Sequence, residues 1–343
     1  MKQILLLMLT VFYGCTNIFE ERLFQFTYEV IIEPTNGKKL ELWIPVPKSN
    51  EIQTVSNLEF NSGDLLYQVN EEKVHGNKYL YIHEENGISD STKLTMTFSI
   101  LRKEHGNVKY RNVQPGRYLG SYSTVPTGTV FASLIDEQKL SKNNMKGVYD
   151  FVLSGMHYGK PKSIDDQYYK EPWLTAGDVY GTKGVNRDEV VSLYQKAITE
   201  QNNYTFGNGN SVYACDIGVG NCTDYHSYFM SLGRTMEVPV RFHMGFSIPK
   251  GEKGNISGYH CWADYYSEND GWFPVDISEA DKNPSKADYF FGTVCCNRVE
   301  MVVGRDLSLE GHGELVNLFI YPLMEVEDKK STSFTKNFYY ENL

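Results

Sequence analysis

The sequence predicts an α+β protein in which a β-sandwich precedes a group of helices and a final antiparallel meander. Three features of the 343-residue chain support this. Residues 23–102 contain short β-branched and aromatic runs separated by turn signals, residues 140–236 show helical patterns, and residues 238–278 return to strand-like runs. Helices that come first and antiparallel strands that follow are typical of an α+β arrangement.

The first region predicts at least four strands. Turn signals lie between its apolar runs, namely NG at 36–37, NSGD at 61–64 and GN at 76–77. Short strands at this spacing, with no helical period, predict a small β-sandwich. The runs are LFQFTYEVIIEP, KKLELWIPVPK, KYLYIHEEN and STKLTMTFSIL. Residues 103–135 contain Gly, Pro and Ser and are predicted to be a connection.

Three helices are predicted next. Residues 140–156 place apolar side chains at spacings of three and four, at Met145, Val148, Val152 and Met156. NRDEVVSLYQKAITEQ begins with Asn186 as an N-cap and has acidic residues in its first turn. DYHSYFMSLGRTM forms the third helix, which a Val-Pro pair ends. The strands predicted after it are VPVRFHMGFSIP, GYHCWADYYSE and GWFPVDIS.

The N-terminus resembles an export signal. Lys2 precedes an apolar run at 4–13, which is shorter than the roughly 20 residues that span a bilayer. We therefore expect residues 1–14 to be a signal peptide. The Gly14-Cys15 pair resembles a bacterial lipobox, so we expect an exported protein attached to the bacterial cell envelope (periplasm or cell surface) through a lipidated Cys15.

The overall charge argues against nucleic-acid binding. The formal net charge is -10, charged residues make up 22% of the chain, and no Lys/Arg stripe is present. A nucleic-acid site needs clustered basic residues opposite the phosphates, so we expect no nucleic-acid partner. An odd number of cysteines follows Cys15, which indicates at least one free thiol. These are Cys215, Cys222, Cys261, Cys295 and Cys296, of which the adjacent last two are expected to be unpaired and partly buried.

Cys222 is the first candidate for chemistry. In GVGNCTDYHSYFM, Gly218 and Gly220 permit a tight turn that delivers Cys222 to the first turn of a helix. The free N–H groups at a helix N-terminus stabilise a thiolate, and they can also donate to the oxyanion that forms when a carbonyl is attacked. The alternative interpretation is a small buried apolar residue.

A cysteine nucleophile needs a base and a group that orients the base. His260 and Asp276 lie on two strands joined by a polar loop, so we expect a hairpin. If they oppose each other, the loop is centred on Glu268, and their Cβ atoms lie about 5 Å apart on one face. An even-length loop without a bulge would place them on opposite faces. Asp276 could otherwise only cap the following ISEA segment, and His260 could be a structural residue.

Two competing assignments remain open from the residues alone. Cys215, Cys222, His226 and Cys261 could form a metal site, although they lack the paired C-x2-C spacing of structural zinc. His226 lies one turn after Cys222 and is a second candidate for the base, although it would be poorly aimed at the thiol. Asp224 is expected to stabilise the helix start.

The motifs GNCTDYHSYFMSLGRTMEVPVRFHMGF, GYHCWADYY and GWFPVDISEADK, in this order, resemble the core of the transglutaminase-like superfamily. The resemblance implies a papain-like cysteine catalytic core, in which a helix that bears the cysteine packs on an antiparallel sheet. The sequence follows the family motifs closely from Gly218 to Asp281 and more weakly outside that range. By the same resemblance, Cys222 matches the nucleophile, His260 the base and Asp276 the third member of a triad.

The resemblance further implies an enzyme that forms a thioester acyl-enzyme from a peptide or protein amide, with cell-wall peptide as one such substrate. We expect hydrolysis, by a peptidase or amidase. The alternatives are crosslinking by a protein-glutamine acyltransferase and a silent peptide- or glycan-binding module. No cofactor is implied, and no calcium-ligand loop is present. Candidates for a side-chain oxyanion donor are Tyr158, Trp173, Tyr204 and Tyr213.

The expected organisation has four parts. After the signal peptide come an N-terminal β-sandwich domain at 15–110, a transglutaminase-like catalytic domain at 111–310, and a C-terminal strand extension and tail at 311–343. The sequence carries no signal for the oligomeric state.

Overall fold

A computed structural model describes residues 19–159, 179–180, 182–200 and 202–343. The predicted signal peptide, Cys15 and Trp173 lie outside the described residues. The N-terminal part of the chain consists of six strands: β1 (Glu21–Ile32), β2 (Leu40–Val46), β3 (Gln53–Asn61), β4 (Tyr67–Glu71), β5 (Lys78–Glu84) and β6 (Thr92–Lys103).

A mixed segment follows the six strands: α1 (Thr129–Glu137), α2 (Met145–Gly155), β7 (His157–Tyr158), β8 (Val179–Tyr180), β9 (Val185–Asn186), α3 (Arg187–Glu200), α4 (Ser211–Ile217), β10 (Val219–Gly220) and α5 (Cys222–Thr235). The last segment contains β11 (Val240–Ser247), β12 (Lys253–Asn255), β13 (Tyr259–Ser267), β14 (Gly271–Val275), α6 (Ile277–Lys282), α7 (Ala287–Phe290), β15 (Arg298–Val303), β16 (Leu323–Val326), β17 (Lys329–Lys330) and β18 (Phe334–Asn342).

Two five-stranded antiparallel sheets contain the N-terminal strands. Their strand orders are β12-β18-β1-β6-β3 and β17-β16-β2-β5-β4. Side chains of a strand point alternately to the two faces of its sheet. In the first sheet the buried face carries the even-numbered apolar residues of β1, which lie opposite even-numbered residues of β6. Phe26 opposes Phe98, for example, with ring centroids 5.2 Å apart. Each such pair contributes roughly 0.2–1 kcal/mol.

The predicted four strands are present, and two further strands were missed. β3 and β4 are mostly exposed, so neither shows the apolar alternation from which a strand is predicted. β3 also has an irregular register between Ser56 and Glu59, where Asn57 adopts a positive φ of 50°. Edge strands with bulges of this kind carry little sequence signal.

The C-terminal strands belong to the same two sheets. β18 pairs with the whole of β1, from Phe24 opposite Asn342 to Ile32 opposite Phe334. β16 pairs with β2. The end of the chain therefore returns to the N-terminal sheets, a long-range pairing that local sequence patterns do not reveal.

The candidate site lies in a third, four-stranded antiparallel sheet with strand order β14-β13-β11-β15. Helix α5 packs on β13 and β11, and α2, α4 and α6 pack on α5. Every residue of α5 from Cys222 to Arg234 is buried, the polar ones included, which makes α5 the central helix of this region. The helix predicted at residues 224–236 and the strands around Val240, Tyr259 and Gly271 are confirmed.

Some helices depart from the predictions. Helix α1 occupies part of residues 103–135, which were predicted to be a connection, and its buried side chains are only Phe131 and Ile135. Helices α4 and α6 were also missed, since seven and six residues are too few to show a helical period. Among the described residues, no helix is both long and apolar enough to cross a membrane.

Candidate active site

The turn before Cys222 is built from short elements. Helix α4 ends at Gly218, which has a left-handed φ of 68°, a conformation that favours glycine. β10 then pairs in parallel with β7. Asn221 caps α5 by accepting a hydrogen bond from the Thr223 N–H at 2.8 Å. Cys222 is therefore the first residue of α5, as predicted, and its side chain is only 3% exposed.

Asp224 holds this turn together. Its fully buried carboxylate accepts the N–H groups of Asn221 at 3.0 Å, Gly207 at 2.8 Å and Gly209 at 3.0 Å. Burial raises the pKa of Asp224 to about 7, against the lowering effect of these three donors. A Cβ at Gly220 would lie 2.6 Å from the Asp224 Cβ, so glycine permits this close approach. The expectation that Asp224 stabilises the helix start is confirmed.

The structure brings His260 and Asp276 together, with His260 Nε2 2.7 Å from Asp276 Oδ2. The predicted register was nevertheless wrong. Ala263 opposes Val275 and Ser267 opposes Gly271, so the loop is Glu268–Asp270, centred on residue 269. Because a loop of three residues has an odd length, residues 260 and 276 remain on the same face of the hairpin. Asp276 directly follows the end of β14. The two side chains therefore meet beyond the paired part of the hairpin.

Asp276 is fully buried and has four hydrogen-bond donors. Oδ1 caps α6 by accepting the Glu279 N–H and the Ser278 hydroxyl, each at 3.1 Å. Oδ2 accepts from His260 and from Arg298 Nη2, the latter at 2.9 Å. Burial opposes ionisation, but His260 and Arg298 together hold the pKa of Asp276 well below its usual range. Both predicted roles, helix cap and partner of the imidazole, are therefore combined in one carboxylate.

Arg298 is the residue that the sequence analysis missed. It lies on β15, is 5% exposed, and also donates to the Ser247 hydroxyl at 2.5 Å. No local motif marks it, because its partner lies 22 residues earlier in the chain. Its charge compensates the buried carboxylate, which would otherwise be costly to keep ionised.

The surroundings of Cys222 favour its thiolate form. Burial alone would raise the pKa of its thiol, but hydrogen bonding by Cys261 and His260, together with the charge of His260, lowers that pKa well below 9.0. The pKa of His260 moves in the opposite direction. Burial disfavours the imidazolium, yet the charge of Asp276 raises this pKa to about 9. The two opposite shifts in pKa favour a thiolate–imidazolium pair of Cys222 and His260.

His226, the other candidate base, has both ring nitrogens engaged. Nδ1 donates to the Cys222 carbonyl at 2.6 Å, and Nε2 accepts the Ile277 N–H at 3.0 Å. Burial lowers the pKa of His226, so the ring is neutral. It connects the start of α5 to the start of α6 and has no nitrogen left to take a proton from Cys222.

The proposed metal set does not assemble. Among the described residues, the group whose ligand atoms lie within 4.8 Å of one another is Glu41, Glu325 and Asp328, none of which belongs to the predicted set. Lys39 already forms ion pairs with two of these carboxylates, including Glu41 at 3.1 Å. The five described cysteines are free, which agrees with the expected unpaired Cys295 and Cys296.

The paired pKa shifts predict two different pH profiles. At pH 6 an ordinary thiol with a pKa of about 8.5 is ionised to less than about 1%. The lowered pKa of Cys222 is expected to make it react with iodoacetamide faster than such a thiol at this pH. Turnover, which needs the imidazolium as proton donor, is expected to fall above about pH 9 while alkylation continues. The rate of Cys222 alkylation and kcat/KM are each measured across pH 5–10. If the two quantities fall together above pH 9, the prediction is contradicted.

Cys261 provides a second test of the thiolate. Its thiol lies 3.7 Å from the Thr223 hydroxyl, beside Cys222, and its own pKa is raised by burial and by Cys222. In Cys261→Ala the thiolate loses a donor, so alkylation of Cys222 at pH 5–6 is expected to slow by about tenfold. Cys296→Ala, another buried cysteine, is the matched control and should leave the rate unchanged.

Part of the chain is similar to a known family, and most of its length is similar to one known protein. Residues 175–277 match a family described as the transglutaminase-like superfamily. An uncharacterized protein of Haemophilus influenzae is 24% identical over 362 residues, covering 94% of this chain and 91% of that protein.

Two solved structures are also similar. One is a "Putative Cysteine Protease" from Cytophaga hutchinsonii, with a TM-score of 0.49 and 11% identity over 94% of this chain and all of that chain. The other is the periplasmic domain of TgpA from Pseudomonas aeruginosa, with a TM-score of 0.34 and 14% identity over 77% of this chain and 73% of that chain. The family match spans Cys222, His260 and Asp276, so the α+β fold combines N-terminal antiparallel sheets with a core region that is similar to the transglutaminase-like superfamily.

Proposed function

We propose that the protein is a cysteine-dependent amide hydrolase with a Cys222–His260–Asp276 triad, acting on peptide or protein substrates at the bacterial cell envelope. The observation that carries the proposal is the 2.7 Å contact of His260 with the buried Asp276, behind a cysteine at the first position of a helix. The family match supports a cysteine enzyme. We also propose that the core has a papain-like fold and that the N-terminal sheets form a β-sandwich.

The chemistry divides into two steps. The Cys222 thiolate attacks an amide carbonyl, and the tetrahedral oxyanion collapses to a thioester as the C–N bond breaks. Since Nε2 of His260 faces Asp276, Nδ1 is the nitrogen that delivers its proton to the departing amine. In the second step Nδ1 takes a proton from water, the resulting hydroxide attacks the thioester, and the acid product leaves with the thiolate restored.

Two donors are available for the oxyanion. The Cys222 N–H lies at the start of α5 and donates to no described residue. Among the predicted side-chain candidates, Tyr204 donates to Asp216 at 2.7 Å. Tyr158 has a hydroxyl without a described hydrogen-bond partner, and after burial the charge of Cys222 is the largest cause that raises its pKa. We assign the second donor to Tyr158.

Protein-glutamine acyltransfer uses the same first step and differs only in the second nucleophile, an amine instead of water. Incubation of the purified protein with peptides and cell-wall fragments, followed by mass spectrometry, separates the two reactions. Hydrolysis of an amide adds 18 Da in total to the products. Crosslinking joins two substrates with loss of ammonia. A Cys222→Ala protein that retains full function in such assays would favour the silent binding module instead.

Export and attachment through a lipidated Cys15 complete the proposal. Metabolic labelling with a radioactive fatty acid, compared between the parent and Cys15→Ala, tests the anchor independently of the chemistry. Label in the parent alone supports attachment, and absence of label from both removes it.

A further inference from the structure

A second cleft, separate from the triad, lies where three parts of the chain meet. It has a volume of about 570 Å³ and is lined by residues 48–51 after β2, by residues 110–118 of the connection, and by Arg241 and Glu300 of the four-stranded sheet. None of the triad residues lines it. This volume lies within the range of small-molecule sites.

The rim of the cleft is basic, in a chain whose net charge is -10. Lys48, Arg111 and Arg117 line it, and none of the three forms an ion pair with another described residue. Arg117 Nη1 only approaches the Val74 carbonyl, at 3.4 Å. Cations without carboxylate partners on one concave surface make the electrostatic potential there more positive.

The floor of the cleft contains an immobilised guanidinium. Arg241 is 3% exposed, and its guanidinium carbon Cζ lies 4.3 Å from the ring centroids of both Tyr110 and Trp272. Nε and Nη2 bind the Asp264 carboxylate, with Nε at 2.9 Å. Nη1 donates to no described residue. The planar group is therefore fixed in place with one nitrogen still available as a donor.

The charges behind the floor do not cancel when His243 is protonated. Burial disfavours the His243 imidazolium, but Asp264 and Glu300 raise the pKa of His243. Arg102, Arg241 and His243 then carry three positive charges against two negative charges on the carboxylates, which leaves one positive charge. Arg102 is fully buried, and its Nε and Nη2 have no hydrogen-bond partner among the described residues.

The two carboxylates that line the cleft are already engaged. Glu51 accepts the Arg111 N–H at 3.0 Å. Glu300 accepts from Asn50 and His243, both at 2.8 Å. They reduce the positive potential without pairing with the charged ends of Lys48, Arg111 or Arg117.

We propose that this cleft binds a compact anion with at least two negative charges, of carboxylate or phosphate chemistry, with Arg111 and Arg117 at its rim and Arg241 at its floor. Guanidinium groups suit both chemistries because they donate two parallel hydrogen bonds to either anion. The site would recognise an acidic group of a substrate or of the envelope at a distance from Cys222.

Isothermal titration calorimetry with citrate and with inorganic tripolyphosphate, in metal-free buffer of low ionic strength, tests the proposal and its two arms. We expect saturable binding of at least one anion, weakened as salt is added. Arg111→Gln/Arg117→Gln is expected to weaken that binding by at least tenfold. Both residues are exposed, so folding should be unaffected.

The matched control is Lys250→Gln/Lys286→Gln, which removes the same charge from two exposed positions outside the cleft. It should bind the anion within about twofold of the parent, since neither lysine lines the cleft and neither can contact the bound anion. Binding of citrate alone indicates carboxylate recognition, and binding of tripolyphosphate alone indicates phosphate recognition. No saturable binding of either anion by about 10 mM, or equal weakening in both double variants, overturns the proposal. The readout is binding, so the result is independent of the proposed hydrolase activity.

Discussion

Cys222→Ala is expected to abolish turnover, with kcat lowered by about five to six orders of magnitude. The alanine lacks the sulfur that forms the thioester, and nothing else near the start of α5 can replace it, because His226 has both nitrogens engaged and the pKa of the Cys261 thiol is raised. Cys222→Ser keeps a hydroxyl of similar size at the helix start. It is expected to be almost as inactive, since a serine hydroxyl is not ionised by this site.

The matched control is Cys296→Ala, which removes another buried cysteine and should retain parental turnover. Product formation followed by mass spectrometry, with the substrate found in the cleavage assay, measures all three variants. Residual activity of Cys222→Ala above about 1% of the parent would contradict the assignment of the nucleophile.

Asp276→Asn is expected to lower turnover by about 10³–10⁴-fold and to destabilise the fold by about 3–5 kcal/mol. The amide cannot stabilise the imidazolium as a carboxylate does, and it leaves Arg298 buried without a counter-charge. The cap of α6 is weakened as well. Chemical denaturation and kcat measure the two effects separately.

Asp264→Asn separates lost stability from lost chemistry. Asp264 is a buried carboxylate on the same strand as His260 and pairs with Arg241, so its replacement should destabilise the fold comparably. It does not contact His260, and its turnover should stay within about tenfold of the parent at a temperature where both variants are folded. Equal loss of turnover in both variants would assign the Asp276 effect to folding alone.

The candidate site was largely predictable because its determinants are local. A turn before an amphipathic segment placed Cys222 at a helix start, and the parity of a hairpin allowed His260 and Asp276 to share a face. The predicted centre of the loop, Glu268, was wrong by one residue. The residues around this turn are polar, so the alternation of apolar and polar side chains does not fix where the loop begins and ends. Moving the centre of the loop by one residue shifts the residue opposite His260 by two positions. A shift of two keeps the opposing side chains on the same face of the hairpin, so His260 and Asp276 still meet.

Features that depend on distant parts of the chain were not predictable. Arg298 reaches Asp276 from another strand, and Cys261 lies beside Cys222 although 39 residues separate them. The return of β18 to β1 joins the two ends of the chain. These contacts depend on how whole sheets pack, whereas periodicity reports only the face that one element buries.

The central claim is that His260 keeps Cys222 ionised. The most direct test is the rate of Cys222 alkylation by iodoacetamide at pH 6 in the parent and in His260→Ala, with mass spectrometry to identify the labelled cysteine. Replacing the ring by a methyl group cannot reduce access to Cys222, a residue that is only 3% exposed, so a loss of rate reflects lost ionisation and not lost access. We expect labelling to slow by at least tenfold in His260→Ala. Equal rates in the two proteins would contradict it.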